Sequence, residues 1–305
     1  MYNVFTDNSI NTQPLPSKSS LINYSLYKEL FCPLPFRSFS VKYVSEGCEN
    51  YTVNGSRYQV KTGQYLLANH FSEGFIEIES KNPVKGICVD VAPDLLSEVV
   101  GSFRRPDTPY PDTDLDTFFN TGNFFENKYQ IGSTNVGRFL QQLDNELSVN
   151  PFGEHRFTNE FYFNLAETIV ADHVQVFRQL QSVPSVRSAT RKDLLRKLYK
   201  AKDYIDQHYL LNLEVKDIAA ACFLSEYHFF RLFKSVFGIS PHQYTIVKRL
   251  EFARQTILKE QSPLSEIAVR AGFSDNSSFS KSFKRHFGFA PSSLVKGELA
   301  VFDNS

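Results

Sequence analysis

Two stretches of this chain, about fifty residues apart, carry the same helical pattern, and that repeat constrains the fold more than any other feature. In the first, Val215–Ala221 reads as a short helix with Ile218 and Ala219 turned inward. The turn Cys222-Phe223-Leu224 leads to Ser225, a capping residue, and a second helix runs from Glu226 to about Phe237, ended by Gly238. In the second, Ser262-Pro263 starts a short helix, Leu264–Ala271, with Ile267 and Ala268 inward. Gly272 makes the turn, and Asn276–Phe287 follows and stops at Gly288. Ile218-Ala219 and Ile267-Ala268 lie 49 residues apart, and the starts Glu226 and Asn276 lie 50 apart. Both stretches are predicted to be helix-turn-helix units.

The outer helices divide into two faces. Phe229, Leu232, Phe233 and Val236 form one stripe, and Tyr227, Phe230, Arg231 and Lys234 share the opposite one at i, i+3, i+4 and i+7. In the second unit Phe279, Phe283 and Phe287 are predicted to be buried, leaving Asn276, Ser277, Ser280, Lys281 and Lys284 outside. A face of aromatic, amide and cationic groups suits a DNA major groove: arginine forks onto guanine, and an apolar side chain meets the thymine methyl. Ser240-Pro241 starts a joining helix to about Leu258, with Tyr244, Val247, Leu250 and Ala253 or Ile257 inward. Its length is roughly 27 Å at 1.5 Å per residue, against about 34 Å for one turn of DNA. Such a strut sets two outer helices in successive major grooves. An amphipathic helix over Lys192–Tyr209 precedes the pair.

Charge follows the same division. The 305 residues hold 33 Lys and Arg and 33 Asp and Glu. Residues 1–186 hold 14 basic against 21 acidic groups, a net −7, whereas 187–296 hold 19 against 10, a net +9. A basic module on an acidic body points to a polyanion partner. Hydrophobic content is 42% and charged content 22%, which excludes global disorder. There is no 18-residue apolar run, so no transmembrane helix is predicted, and no secretory signal is read in the first twenty residues. Cys32, Cys48, Cys88 and Cys222 are too widely spaced for a disulfide framework or a zinc site, which fits a reducing cytoplasm.

The N-terminal half reads as strands followed by helices. Residues 1–35 are polar and dotted with proline, and are predicted to be irregular at first. From Arg37 the period is two, with Phe39, Val41 and Tyr43 alternating with Ser38, Ser40 and Lys42. Asn54-Gly55 marks a hairpin, Thr62-Gly63 a further turn, and short strands follow at Phe75–Glu79 and Gly86–Val91. Residues 103–135 are predicted to be a long loop. Helical stripes then appear at Val136, Leu140, Leu143 and Leu147, and at Phe161, Leu165, Ile169, Val170, His173 and Phe177. The segment 181–190 has Pro184 and no apolar period, and is predicted to be a linker.

The basic module resembles the AraC/XylS family of bacterial transcription regulators. The matching text is YIDQHYLLNLEVKDIAAACFLS (204–225), FFRLFKSVFGISPHQYTIVKRLEFARQTIL (229–257) and SPLSEIAVRAGFSDNSSFSKSFKRHFGFAP (262–291), most specifically GFSDNSSFSKSFKRHFG. The resemblance implies base or groove contacts from Tyr227, Phe230 and Arg231 and from Asn276, Ser277, Ser280 and Lys281. Phe230 stands where the family often has a polar residue, so apolar contact carries part of the first helix's specificity. Leu294-Val295 takes the place of the family's Tyr-Arg pair, a source of phosphate contact. The resemblance also implies a cupin-like barrel and dimerisation helices ahead of this module, activation of transcription, and RNA polymerase as a partner.

The expected fold is therefore α+β. Residues 1–180 form a cupin-like effector-sensing and dimerisation domain (barrel ~36–100, helices ~134–180), 181–190 a linker, and 191–305 a helical domain with two helix-turn-helix units. The expected activity is that of a cytoplasmic, sequence-specific DNA-binding regulator under small-molecule control, working as a homodimer and not as an enzyme. No catalytic residue, metal or cofactor is assigned. His70 is the single histidine in the first 150 residues, too few for a histidine-based metal centre, and no GxSxG elbow or glycine-rich phosphate loop occurs. Tyr43, Arg57 and Tyr58 are the effector-site candidates. His208, His228, His242 and His286 are assigned to helix packing. Two other readings stay open: a cupin-type enzyme with an accessory DNA-binding module, marked by a stoichiometric metal or turnover, and a ligand-free regulator.

Overall fold

The computed structural model describes residues 1–7, 19–103, 112–185, 187–260 and 262–295. The chain divides into two compact units, Met1–Arg178 and Gln179–Ser305, with the boundary inside one helix.

The first unit is built on one sheet. Its strands are β1 (Tyr2–Thr6), β2 (Leu21–Pro35), β3 (Phe39–Glu46), β4 (Cys48–Val53), β5 (Ser56–Lys61), β6 (Gln64–Ala68), β7 (Glu73–Val91) and, later in the chain, β8 (Asn127–Gln130). The pairing order is β1-β2-β7-β3-β6-β8, with β4 between β7 and β5. β2 and β7 pair antiparallel from Leu21↔Asp90 to Pro35↔Glu73. The other edge of β7 is shared: its first part takes β4 and its last part takes β3. One apolar cluster draws Val44, Tyr51, Val60, Leu66, Ile76 and Val84 from β3 to β7, so the sheet folds over onto itself.

Several expectations change here. Residues 1–35 are not irregular throughout, because β1 and β2 lie in them and pair in parallel. The two short strands expected at 75–79 and 86–91 are parts of one 19-residue strand. The barrel expected from sequence is not closed among the described residues: β1, β5 and β8 each have a single partner strand. The loop expected over 103–135 is partly structured, with α2 (Asp112–Phe119) and β8 within it, while 104–111 lies outside the described residues. Phe118, Phe119, Phe124 and Phe125 from this stretch are fully buried. Each such ring contributes about 1.5–3 kcal/mol of burial, which is why a segment without periodicity is held in place.

Asn54 and Gly55 both take positive φ (47° and 78°), the left-handed geometry a two-residue hairpin requires. Helix α1 (Pro93–Ser102) precedes α2, and α3 (Asn135–Val149) and α4 (Asn159–Ser182) close the unit. The α3 stripe is fully inside, as are Leu165, Ile169, Val170, His173 and Phe177 of α4.

The second unit is helical: α5 (Ser188–His208), α6 (Val215–Ala221), α7 (Glu226–Phe237), α8 (Pro241–Lys259), α9 (Leu264–Arg270), α10 (Asn276–Phe287) and α11 (Pro291–Val295). The segment expected as a linker is helical at both ends, through α4 and α5. Val183 is buried, and Arg191 donates to the Gln181 side chain and the Ser185 carbonyl.

Candidate nucleic-acid interface

The two helix-turn-helix units are built on equivalent aromatic ladders. In α7, Phe229, Phe233 and Phe237 stack in series at 5.5 and 4.6 Å between ring centroids. In α10, Phe279, Phe283 and Phe287 do the same at 5.6 and 4.5 Å. The spacing of four residues puts each ladder on one stripe facing the core. Ala219 and Ala268 are each 1% exposed, so α6 and α9 approach their partner helices through a methyl group. Gly238 and Gly288 end the outer helices with φ of 77° and 84°.

With the first two rings of each ladder buried, and Phe237 and the expected core residue Phe287 only half-buried, the opposite faces turn outward. Tyr227, Phe230, Arg231 and Lys234 are all exposed on α7. On α10, Asn276, Ser277, Lys281 and Lys284 are exposed and Ser280 is half-buried. Arg231 and Tyr227 form a pre-set pair: the guanidinium lies 5.5 Å from the ring centroid and Nη1 donates to the hydroxyl at 3.2 Å. Cation–π contact and hydrogen bond together limit the rotamers Arg231 must give up on binding.

The caps differ from expectation at two of three sites. Ser240 does cap α8, and Gln243 completes a capping box. Ser225 forms no side-chain cap bond on α7, and α9 begins at Pro263 without one. The capping role at α10 falls instead to Asp275, whose carboxylate accepts from the Ser278 amide at 2.7 Å. That bond and the others from Ser278 and Ser274 hold its carboxyl below the usual range.

The joining helix α8 has 19 residues, about 28 Å long. Leu250, Ala253 and Ile257 are buried on it as expected, while Tyr244 and Val247 are half-buried and Thr245 and Thr256 take the remaining inner positions. Arg249 was not legible in the sequence as special. Its Nε donates to the Tyr209 carbonyl at 2.7 Å, Nη2 to that of Leu211 at 2.8 Å and Nη1 to that of Gly272 at 2.8 Å. One side chain of the strut thus ties the loop before α6 to the turn before α10.

Two more exposed residues were not among the site candidates. Phe223 stands in the first turn with φ +57°, 80% exposed, where the second turn has Gly272 at +80°. Arg285 is exposed in the last turn of α10. Of the four histidines assigned to packing, His208 is held by its Nδ1 contact to the Tyr204 carbonyl, but His228, His242 and His286 are exposed.

A helix-turn-helix domain model matches residues 218–297, reaching from α6 past α10 and so across both helix-turn-helix motifs. The chain is 45% identical over 89 residues to LumQ, a probable transcriptional regulator of Photobacterium leiognathi, covering 29% of this chain and 36% of that protein. It is 30% identical over 115 residues to ExsA, an HTH-type transcriptional regulator of Pseudomonas aeruginosa, covering 38% and 41%. Over this domain the chain is similar to AraC/XylS-type transcriptional regulators. A crystal structure of an AraC-type regulator from Chromobacterium violaceum is 27% identical, covering 35% of this chain and 96% of that one, with a TM-score of 0.33. The chain spans about two fifths of the length of the curated relatives it matches. The AraC/XylS-type domain lies in the second unit, and the matched model does not extend to the first.

In the first unit the three effector candidates separate. Tyr43 borders a cavity of about 230 Å³ inside the sheet, while Arg57 and Tyr58 line a different groove. The Tyr43 hydroxyl donates to Asp144 at 3.1 Å, and that of Tyr58 to the Glu126 carbonyl at 2.9 Å. Lys42 and Glu49, the charged residues lining the cavity, were not selected from sequence. Among the described residues no cluster of three or more His, Cys, Asp or Glu is placed to hold a metal, and no helix is long and apolar enough to cross a membrane.

Proposed function

We propose that this chain is a cytoplasmic, sequence-specific transcription regulator that grips double-stranded DNA through α7 and α10. The observation that carries the reading is the pair of equivalent outer faces: each is exposed, each is backed by the same phenylalanine ladder, and both are joined by one rigid strut. Tyr227, Phe230 and Arg231 read one half-site, with Lys234 on the backbone. Asn276, Ser277, Ser280 and Lys281 read the other, with Lys284 on the backbone. The Lys234 and Lys284 contacts fix position and give affinity that falls with salt, while the amide, hydroxyl, aromatic and guanidinium groups, with Lys281, carry sequence preference.

The first unit is the sensor in this reading. A small molecule held in its cup-like sheet biases DNA binding, α3 and α4 supply a homodimer seam, and the bound protein recruits RNA polymerase as an activator. Its relatives are named as transcriptional regulators, and a lactose operon transcription activator of Staphylococcus xylosus is among them.

Selection of binding sites from random DNA, followed by footprinting of the winners, tests the DNA reading. Two protected windows per protomer, about one helical turn apart, are expected. A single window, or equal affinity for every sequence, would overturn it.

A further inference from the structure

The cavity of about 230 Å³ in the first unit has mostly apolar walls, including Leu30, Ile76 and Ile78, with Lys42, Glu49 and Cys88 in its polar lining beside Asn23 and Ser25. Lys42, Glu49 and Cys88 come from β3, β4 and β7, and β7 pairs with both of the others, setting Lys42 opposite Cys88. Lys42 Nζ donates to Cys88 Sγ at 2.7 Å and lies 5.7 Å from the Phe36 ring centroid. An ammonium carries three donors and a thiol is a weak acceptor. Among the described residues no carboxylate lies within ion-pair distance of Lys42. Burial alone would push its pKa down, but Cys88 and Asp90 beside it hold it above the ordinary value, so the charge persists. A charge kept in a largely apolar cavity, with donors unspent, is matched by a ligand that brings an anionic acceptor.

Glu49 sets the second condition. Its carboxyl is 3% exposed, accepts from the Tyr51 hydroxyl at 2.5 Å, and lies so close to β7 that a Cβ on Gly86 would sit 2.5 Å from Oε1. Burial pushes it up to about 7, against the Tyr51 bond and Lys42, which pull it down. Protonated, it offers an O–H donor to the same polar lining. The cavity holds the volume of about eight waters at roughly 30 Å³ each, which restricts an occupant to a compact body.

We propose that the effector is a compact, mainly apolar monocarboxylic acid, its carboxylate held by Lys42 with Glu49 as the second donor. The proposal rests on the reading of the first unit as a sensor and gives that sensor its ligand class. A carboxylate arriving beside Glu49 favours its protonated form, so binding takes up a proton and tightens as pH falls toward about 7, levelling off below it. The other titratable groups lining the cavity are Tyr27, Tyr43, Tyr51, Cys32, Cys88 and Lys42. All are held above their ordinary values, Cys88 up to about 12, and none titrates near neutrality.

Calorimetry on the full chain with cyclohexanecarboxylate, phenylacetate and hexanoate, each beside its primary amide, tests this. At least one acid is expected to bind tenfold or more tighter than its amide, the effect of about one charge-assisted hydrogen bond. Lys42→Met is expected to erase that preference, and Glu49→Gln to flatten the pH dependence between about pH 6 and 8. Equal binding of acid and amide, a preference that survives Lys42→Met, or no binding of any acid at about 10 mM would overturn the proposal. DNA affinity measured with and without the acid separates the two readings. Lys42-dependent binding with unchanged DNA affinity keeps the ligand class and removes the sensor. Unaltered DNA recognition with no acid bound removes the ligand class and leaves the regulator.

Discussion

The Arg249 guanidinium donates to the Gly272 carbonyl at 2.8 Å, and a Cβ added at Gly272 would lie 2.9 Å from Arg249 Cζ. The strut and the second turn are therefore fitted to each other twice, once by a hydrogen bond and once by the absence of a side chain. Arg249→Lys removes the fork that reaches three carbonyls at once, because an ammonium is a single point of charge. A loss of about 1–2 kcal/mol is expected for this half-buried group, with Arg249→Ala costing somewhat more. Urea unfolding of the full chain, followed through the helical signal, measures it. An unchanged midpoint would show that the three bonds are replaced by water at no cost.

The two turns make opposite predictions under the same logic. Gly272 at φ +80° sits in the left-handed region, so Gly272→Ala carries backbone strain of about 1–2 kcal/mol in addition to displacing Arg249. Phe223 occupies the matching place at φ +57° with its ring 80% exposed, so little packing offsets its strain. Phe223→Gly is expected to stabilise the unit by about 0.5–1 kcal/mol after the greater flexibility of the unfolded glycine is counted. Thermal melts of the two variants should move in opposite directions from the parent. A Phe223→Gly variant that melts lower would mean that the exposed ring packs in solution.

The second unit was legible in sequence because its constraints are local. Glycines at 238 and 288 stop helices by their own conformation, and ladders of phenylalanine every fourth residue fix which face is buried. The first unit was legible only in part. The alternation at 38–43 gave the strand but not what its polar side meets: Ser38 and Ser40 are buried and Lys42 lines the cavity. Ser40 donates to Asp90, fifty residues away, a partner that no local pattern announces. Phe118, Phe119 and Phe124 were missed for the same reason: they pack with one another across a break in secondary structure and show no period. Arg249 looked like any cation on a helix because its partners are backbone carbonyls.

At the interface, Arg231 and the lysines of α10 should fail differently. Arg231→Ala is expected to cost about 1–3 kcal/mol on the selected site and to relax preference at one base pair, with little change on unrelated DNA. Lys281→Ala and Lys284→Ala test the split of roles on α10. Loss of Lys284 should weaken all sequences alike and lower the salt slope by about 0.9. Loss of Lys281 should do so most strongly on the selected site. Tyr227→Phe keeps the ring under Arg231 but removes the acceptor 3.2 Å from Nη1, and should cost less than Arg231→Ala. Titrations at several salt concentrations on selected and scrambled duplexes read all four. Uniform loss for Arg231→Ala would reassign it to the phosphate backbone.

The first unit carries two buried groups whose titrations oppose each other. His173 is 1% exposed among Phe119, Phe124 and Tyr129, its Nδ1 donates to the Ile169 carbonyl at 2.8 Å, and Nε2 has no partner. Burial lowers its pKa from 6.5 to about 4. The unfolded chain therefore binds this proton first as pH falls, and stability is lost between about 6.5 and 4, by roughly 3 kcal/mol. Glu49 runs the other way. Its folded pKa is raised from 4.5 to about 7, so the folded state binds its proton first and stability is gained as pH falls from about 7 to 4.5. That gain is also roughly 3 kcal/mol. The two contributions nearly cancel across one window in the parent protein, and single variants should expose each. Glu49→Gln should lose stability steeply on acidification, and His173→Phe should gain it, relative to the parent over the same pH range. Denaturant unfolding of the three proteins at pH 7, 6 and 5 makes the comparison, with the shared surface carboxylates dropping out of the differences. Parallel pH profiles for all three would mean that neither group is held at its shifted value in the folded chain.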